Sequence, residues 1–480
     1  MSERYDAVVV GSGPNGLAAA IELARHDKAV LVVEGHDQIG GGTRTAPLTL
    51  PGFLHDVCSA AHPLGPASPF LAMLPLQDHG LEWITPSVSV AHPLDDGSVV
   101  VLEGTVSATA AGLGADGPVY RRHVGPLAES ADEIITGSLQ PLLRVPRHPV
   151  SMARFGYAAV MSATRYAVRF ATTGARALIA GLAAHSILPL DHPATAGVGL
   201  ALAIAGHRNG WPIARGGSHA LTMAMAAYLR TLGGEIRTGW WVRSLEELPP
   251  APATLLDVTP AQLVALAGDR LGGRSQGRMQ RWRYGPAVFK VDYALAAPIP
   301  WSNSGVARTA TVHVGGTLEE IAAAERTVWE GRPAERPFVL LNQPTLFDPS
   351  RAPQGTHVAW AYCHVPEGWD GDATAAIEAQ IERFAPGFGE IVLARHTMGP
   401  ADYDAYNPNN VGGSITGGAV TFGQLVARPR LSPHPYRTGI DGVYLCSSST
   451  APGAGTHGMC GFHAAHTALR TTFGARRTLR

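Results

Sequence analysis

The sequence predicts an α/β fold of two domains, and three observations carry that expectation. A short apolar run, Ala7-Val8-Val9-Val10, passes directly into Gly11-Ser12-Gly13-Pro14-Asn15-Gly16 and then into a helical pattern of Leu17, Ala18, Ile21 and Leu23. A second apolar run, Ala29 to Val33, follows and ends on Glu34. Strand, glycine turn, helix and strand in that order open a Rossmann-like unit, whose parallel strands are buried on both faces and so read as unbroken apolar runs. Finally, 480 residues exceed what one hydrophobic core usually sustains.

The remaining elements follow in order. Residues 46–75 are rich in Pro, Gly and His and are expected to form a loop. Asp95-Asp96-Gly97 marks a hairpin turn before the strand Val99-Val100-Val101-Leu102. Residues 120–207 are Ala-rich and helical in pattern. Leu221, Met225, Tyr228, Leu229 and Leu232 share a helical face that starts after Gly216-Gly217-Ser218 and stops at Gly233-Gly234. Glu235-Ile236-Arg237, Trp240-Trp241-Val242 and Leu255-Leu256-Asp257-Val258 read as strands. Residues 287–295 alternate weakly, as in a domain sheet, and residues 442–447 read as a last short strand before a Gly-rich loop and a helix.

Composition narrows the function classes. The chain is 45% hydrophobic and 16% charged with a net charge of −1, which offers no basic excess for nucleic acid. Cys58, Cys363, Cys446 and Cys460 contain no CxxC pair, so neither a zinc knuckle nor a redox dithiol is indicated, and no disulfide scaffold is expected. The 20 histidines show no ligand spacing, so no metal site is expected. The start, MSERYDAVVVG, has neither a basic n-region nor an h-region. The longest apolar run, about Ala194 to Gly206, is too short to span a bilayer. A cytoplasmic location is expected, with peripheral contact to the inner membrane face left open.

Three GxGxxG strings occur, and context separates them. In the first, Gly11, Gly13 and Gly16 permit a tight turn, close approach of a pyrophosphate and close helix packing, while Ser12, Pro14 and Asn15 open the helix. The helix N-terminus offers free N–H groups to phosphates, and Glu34 stands where it can accept from the ribose hydroxyls. The second string, Gly112 to Gly117, is followed by Pro118 and is expected to be a loop. The third, Gly453 to Gly458, has no acid at the ribose position, so a second nucleotide site is not expected.

Glu34 is followed by Gly40-Gly41-Gly42-Thr43-Arg44, and this E-x5-GG-x-x-R pattern resembles the flavin fingerprint of phytoene desaturases, retinol saturases and amine oxidases. Val443 to Thr450 and Gly455-Thr456-His457-Gly458-Met459-Cys460-Gly461 are similar to the C-terminal segment that returns to the flavin in those families. Gly233 through Val242 resembles the segment whose valine contacts adenine. The resemblance covers nearly the whole chain and is closest to bacterial phytoene dehydrogenase-like proteins, which include relatives of a human mitochondrial pyridine nucleotide-disulfide oxidoreductase domain protein. Tyr284-Gly285-Pro286 through Trp301, Thr311 to Thr317, and Asn407-Pro408-Asn409 carry it further. Two departures are visible: Ser448 stands where an acid or Ala is common, and the segment between Val242 and Leu255 is short and Pro-rich.

The resemblance implies FAD as cofactor, held by Gly11, Ser12, Gly13, Pro14, Asn15, Gly16, Glu34, Gly41, Gly42, Thr43, Arg44, Val242, Ser448, His457, Gly458 and Met459; noncovalent binding is expected, with covalent attachment near Cys446 and Cys460 left open. It implies a discontinuous FAD-binding domain of residues 1–75, 208–265 and 430–480, with an α+β substrate domain of residues 76–207 and 266–429 inserted in it.

Three residues are candidates for chemistry. Lys290 resembles the strand lysine that holds a water at the flavin N5 in amine oxidases; the alternative is a lysine snorkelling to solvent. His457 is a candidate donor to flavin or substrate, or a cap of the following helix. His62, with Asp56 nearby, either faces the flavin or serves loop hydrogen bonding. Trp211, Arg215, Tyr406 and Tyr436 are pocket or packing residues, and Cys446 and Cys460 small buried ones. The leading expectation is a desaturase, saturase or oxidase acting on an apolar, isoprenoid-, carotenoid- or retinoid-like substrate, with oxygen or a quinone-like acceptor. The alternatives are an amine oxidase and a non-catalytic FAD-holding binding protein.

Overall fold

A computed structural model describes residues 4–475. In chain order, the strands of its two main sheets are β1 (Ala7–Val10), β2 (Val30–Val33), β3 (Val88–Pro93), β4 (Val99–Glu103), β5 (Glu235–Arg237), β6 (Ala253–Leu256), β7 (Ala287–Leu295), β8 (Thr311–Val314), β9 (Val339–Asn342), β10 (His357–Val365), β11 (Val392–Met398) and β12 (Val443–Leu445). The helices that position the site are α1 (Pro14–Ala24), α2 (Pro149–Ala159), α3 (Thr173–Ala184), α4 (Thr195–Asn209), α5 (His219–Thr231) and α6 (Met459–Thr471).

The first sheet has five strands in the order β12-β6-β1-β2-β5, all parallel. Its strands are apolar without alternation because both faces are covered. Ala7, Val9, Val30, Val32 and Leu255 pack with the residues of α1, α5 and α6, while Val8, Val10, Leu31, Val33 and Leu256 pack with Leu263, Leu266 and Met279. Each fully buried Val or Leu contributes roughly 1.5–3 kcal/mol. Helices α1 and α6 cross at glycine: a Cβ on Gly461 would lie 1.8 Å from the Asn15 carbonyl oxygen. The last strand and helix therefore close the same sheet that the first strand opens.

The second sheet runs β11-β7-β10-β9-β8-β3-β4 and is antiparallel except at the β8–β3 pair. All nine residues of β7 are buried, which explains their weak alternation. Phe289, Val291, Tyr293 and Leu295 face one core, and Val288 packs on Val57 and Tyr403 from the other side. Short ribbons join the domains: Thr45–Ala46 pairs with His55–Asp56, and Trp83–Ile84 with Ile213–Ala214.

Three sequence expectations need correction. Trp240-Trp241-Val242 is not a strand. The chain turns at Gly239 (φ +68°), and its backbone bonds back to residues 34–36 instead of extending the sheet edge. The Gly112–Gly117 string is a turn between helices, and Gly117–Glu129 is helical with Pro118 in its first turn, where a missing N–H costs nothing. Residues 266–281 belong with the first domain, because Leu271 and Met279 share a core with Val8, Val10 and Leu256.

Candidate active site

A cavity of about 990 Å³ opens along the carboxyl ends of β1, β2 and β6 and continues between α2, α4 and the second sheet. Ligands of open parallel sheets bind at such carboxyl ends, where helix N-termini and loops converge. Gly11 (φ +97°) turns the chain out of β1, and a Cβ on Gly16 would sit 2.0 Å from the Gly11 carbonyl oxygen. A Cβ on Gly41 would lie 3.1 Å from the Cα of Gly13, so the two glycine turns pack against each other in the cavity wall. Pro14, Asn15, Gly42 and Thr43 complete this end. Asn15 Oδ1 and His36 Nε2 are buried on the wall with no hydrogen-bond partner among the described residues. Such orphaned groups call for a polar ligand.

Glu34 lines the same end. Its Oε2 accepts from the Ser12 N–H (2.9 Å) and Ser12 Oγ (2.6 Å), and its Oε1 from the His36 N–H (3.0 Å). Arg44 Nη2 approaches Oε1 at 3.4 Å, and the guanidinium lies 5.2 Å from the centre of the Tyr406 ring. Tyr406 in turn donates to the Gly41 carbonyl at 2.8 Å. Tyr406 thus buttresses both the glycine turn and Arg44.

Asp257, read from sequence only as a strand residue, stands at the carboxyl end of β6 and lines the cavity. Its Oδ2 accepts from the Gly16 N–H at 2.9 Å. Burial pushes its pKa up to about 7 against that hydrogen bond, and the Glu34 charge adds to the rise. The available signal was its place at the end of a third parallel strand. Val242 lines the far end with Trp240, Trp241 and Arg243, and a Cβ on Gly35 would meet the Trp241 ring at 2.5 Å. Ser448 lines the opposite wall, and its carbonyl accepts from Arg428 Nε at 2.9 Å.

Of the three candidates for chemistry, His62 alone reaches the cavity wall. Its Nε2 lies 2.9 Å from Ser218 Oγ, which itself donates to the Ser59 carbonyl at 2.5 Å. Burial pushes the His62 pKa down to about 4, against the pull of Asp56. His457 is the helix cap: its Nδ1 accepts from the Met459 N–H at 3.0 Å, and its ring is not among the cavity-lining groups. Gly458 and Met459, expected at the cofactor, pack instead; a Cβ on Gly458 would lie 3.0 Å from Ala18 Cβ, and Met459 is core. Gly453, Gly455 and Thr456 form the wall there.

Lys290 fits neither alternative. It is wholly buried, so it does not snorkel, and it is not among the residues that line the cavity. Its ammonium donates to Asp292 Oδ1 (2.6 Å) and to the Asp56 carbonyl (2.7 Å). The Asp56 carboxylate pairs with Arg351 at 2.9 Å and accepts from Thr45 Oγ1 and the Ser218 N–H. Burial opposes the Asp56 charge, but Arg351 and these donors hold its pKa below the usual value. This network ties the Arg44 ribbon to the second sheet. Trp211 lines the cavity, Arg215 pairs with Glu82 near the surface, and Tyr436 is core with its hydroxyl on the Ala451 carbonyl.

Beyond the polar end, the cavity becomes apolar. Met152, Phe155, Ala201 and Leu202 line it from α2 and α4, and Leu340, Trp360 and Tyr362 from the second sheet. His185, at the end of α3, is a titratable exception there, and Ser138, Gln140 and Thr311 add neutral polar groups. Among the described residues, no group of three or more His, Cys, Asp or Glu is placed to hold a metal ion, and no helix is long and apolar enough to cross a membrane.

Residues 9–74 match the family model of the NAD(P)-binding Rossmann-like domain. The chain is 26% identical to mouse pyridine nucleotide-disulfide oxidoreductase domain-containing protein 2, covering 98% of this chain and 94% of that protein. It is 27% identical to the neurosporene-forming phytoene desaturase of Rhodobacter capsulatus over 51% of each chain. Among solved structures, wild-type putrescine oxidase bound to putrescine aligns with a TM-score of 0.63 at 17% identity, covering 98% of this chain and all of that one (100%). The chain is thus similar over nearly its whole length to an oxidoreductase domain-containing protein and over about half of it to a phytoene desaturase, and it shares the fold of putrescine oxidase. The segment matched by the Rossmann-like family model contains the glycine turn, Glu34 and Arg44, and all three meet at the polar end of the cavity.

Proposed function

We propose that the protein is an FAD-dependent oxidoreductase that moves hydrogen between an apolar small molecule and the flavin, as a desaturase, saturase or oxidase. One observation carries this reading: a single cavity joins a dinucleotide cradle to an apolar chamber. The residues present fit FAD. The two glycine turns put bare backbone on the cavity wall where a pyrophosphate would lie, Glu34 sits at the end of β2 for the ribose, Val242 closes the adenine end, and Asn15 and His36 offer unpaired polar atoms. When bound, FAD would supply a two-electron acceptor for one C–H bond. The chain's own part is to bind, orient and exclude water. Arg44 places a positive charge beside the glycine turns, and Trp360, Tyr362 and Leu340 give the substrate an apolar wall.

Leu142 and Val160 belong to the cavity lining and are also 54% and 53% exposed, so they form its mouth. Val145, Val150 and Tyr157 are exposed nearby in sequence. This apolar rim supports entry of a poorly soluble substrate from a membrane surface, with oxygen or a quinone-like molecule as electron acceptor. The test is anaerobic mixing of the purified yellow protein with polyenes, retinoids and amines. Bleaching by a polyene or retinoid supports the reading; bleaching by amines alone makes it an amine oxidase; a flavin that no class reduces makes it a binding protein.

A further inference from the structure

The wall of the apolar chamber carries His185, and that ring is not isolated. His185 Nε2 lies 2.9 Å from Nε2 of His313, on β8. His313 is wholly buried, as is His92 on β3. The Nδ1 atoms of His313 and His92 are both without a hydrogen-bond partner among the described residues. Both face the same gap: they lie 2.6 Å and 3.1 Å from the point a Cβ on Gly181 would occupy. His92 Nε2 ends the series 2.7 Å from the Gly316 carbonyl oxygen. Beside Gly316 stand Glu320, which is partly exposed, and Arg383, 3.0 Å from Glu320.

Histidines that merely fill a core have both nitrogens satisfied, because an unpaired buried polar atom costs about 1–3 kcal/mol. Here two unpaired nitrogens share a gap that only a glycine leaves open. The Gly316 carbonyl can only accept, so the His92 proton sits on Nε2 and its Nδ1 is bare. The arrangement that satisfies both gap nitrogens has His313 donating from Nδ1 into the gap, directly or through a water, and accepting at Nε2. His185 then donates from Nε2, and its Nδ1 lone pair is left for the cavity. The other groups facing the series are the Trp211 ring, 5.4 Å from His185, the Phe338 ring, 5.4 Å from His313, and His364, which pairs with Glu325 at 2.8 Å. Burial holds all three rings neutral: it lowers His185 to about 3 and His92 to about 4, and lowers His313 well below its usual value.

We propose that His185 is the acid–base residue of this active site, and that His313 and His92 are positioning residues that set its tautomer and carry the proton toward Glu320. The proposal rests on the function proposed above. Forming a carbon–carbon double bond breaks two C–H bonds. One hydrogen leaves with its electron pair to the two-electron acceptor. The other leaves as a proton to His185 Nδ1, and its bonding pair becomes the new π bond. The Nε2 proton of His185 passes to His313 Nε2, and the Nδ1 proton of His313 passes to His92 Nδ1. The positive charge then rests on His92, against the Gly316 carbonyl and near Glu320. In the saturating direction the same steps run in reverse.

The test reads the tautomer first and turnover second. Full-length protein with its cofactor, labelled with ¹⁵N-histidine, is compared with His185→Phe for assignment and with His92→Phe and His313→Gln. The expected wild-type spectrum has His185 protonated on Nε2 and bare on Nδ1, and either relay variant shifts that signal toward the other tautomer. Wild-type His185 protonated on Nδ1, or a His185 signal unmoved by His92→Phe in protein with native circular dichroism, overturns the proposal. With a substrate that bleaches the flavin, His185→Phe is expected to slow bleaching about 10²–10⁴-fold and to remove its pH dependence. Bleaching at the parental rate also overturns the proposal. The tautomer is read without substrate, so failure of every substrate with the parent protein counts against the proposed function while the spectrum still decides the relay.

Discussion

Replacing Lys290 by methionine keeps the length and apolar packing of the side chain but strips a charge from the junction of the two domains. The structure sets the magnitude. Lys290 and Asp292 are both wholly buried and 2.6 Å apart. Without the ammonium, Asp292 retains His55 at 3.5 Å and His396 at 3.6 Å, and neither contact is a full ion pair unless the imidazole is charged. Burial lowers the His55 pKa to about 4, so it is neutral at ordinary pH. The carboxylate would be stranded in a dry site, and breaking a buried pair from one side typically costs about 3–5 kcal/mol. The Asp56 carbonyl loses its donor as well. Removing both charges in Lys290→Met/Asp292→Leu should recover most of the loss, since well-packed apolar replacements of buried pairs are close to neutral. The assay is urea unfolding followed by tryptophan fluorescence, because Trp360 lies 5.5 Å from the ammonium. The two-domain chain need not unfold in one step, so the comparison is made on the transition that reports this junction. Flavin retention and reoxidation by oxygen should match the parent in the folded fraction. A single variant as stable as the parent but slow in reoxidation would refute this reasoning and return Lys290 to the flavin.

Glu34→Ala should weaken FAD retention by about 1.5–3 kcal/mol, the worth of a hydrogen bond to a charged group, and should also release the Ser12 turn it holds; equilibrium dialysis of the flavin measures it, and unchanged affinity would place the nucleotide elsewhere. Gly13→Val should lose flavin while still folding, because its Cβ meets the Asp257 carboxylate at 3.0 Å and the Gly41 Cα at an ordinary 3.9 Å, whereas Gly461→Val should fail to accumulate as folded protein, because its Cβ drives into the Asn15 carbonyl. Flavin content and circular dichroism separate the two outcomes. Acid should destabilise the protein early. Burial lowers His62, His55 and His457 to about 4, below their unfolded value of about 6.5, so the unfolded chain binds more protons between about pH 4 and 6.5 and stability is lost as pH falls through that window. Asp257, raised to about 7, acts oppositely, but it is one group against these three and His92, His185 and His313, which burial lowers as well. A melting temperature that stays level from pH 7 to about pH 5 would contradict this sign.

The elements most legible in the sequence were those whose burial is uniform. β1, β2 and β6 are covered on both faces, so each announces itself as an apolar run wherever it lies in the chain. The glycine turn and Glu34 were legible for a related reason: their spacing is fixed by local backbone geometry, and α1 follows within the same unit. Trp240 to Val242 misled because aromatic and β-branched residues suit strands, yet here the side chains serve the cavity and the turn at Gly239 takes the backbone out of the sheet. Pro118 misled in the opposite sense, since proline reads as a helix breaker although the first turn accepts it.

The polar groups of the interior were the least legible, and for a physical reason. Lys290 was read from one strand, where a lone lysine has two plausible fates, exposure or chemistry. The structure supplies a third, a buried pair whose partners, Asp292 and the Asp56 carbonyl, come from its own strand and from a ribbon 234 residues away. Periodicity reports which face of an element is buried but not which polar groups meet across that face. His92, His185 and His313 show the same limit, since each looks like an ordinary residue within its own segment. Their meaning comes from Gly181, whose missing side chain leaves two nitrogens facing one gap, and from the Gly316 carbonyl, which accepts and cannot donate. A backbone atom far from the cavity thereby orders the protons of three rings, and that order is what leaves the lone pair of His185 for the chamber.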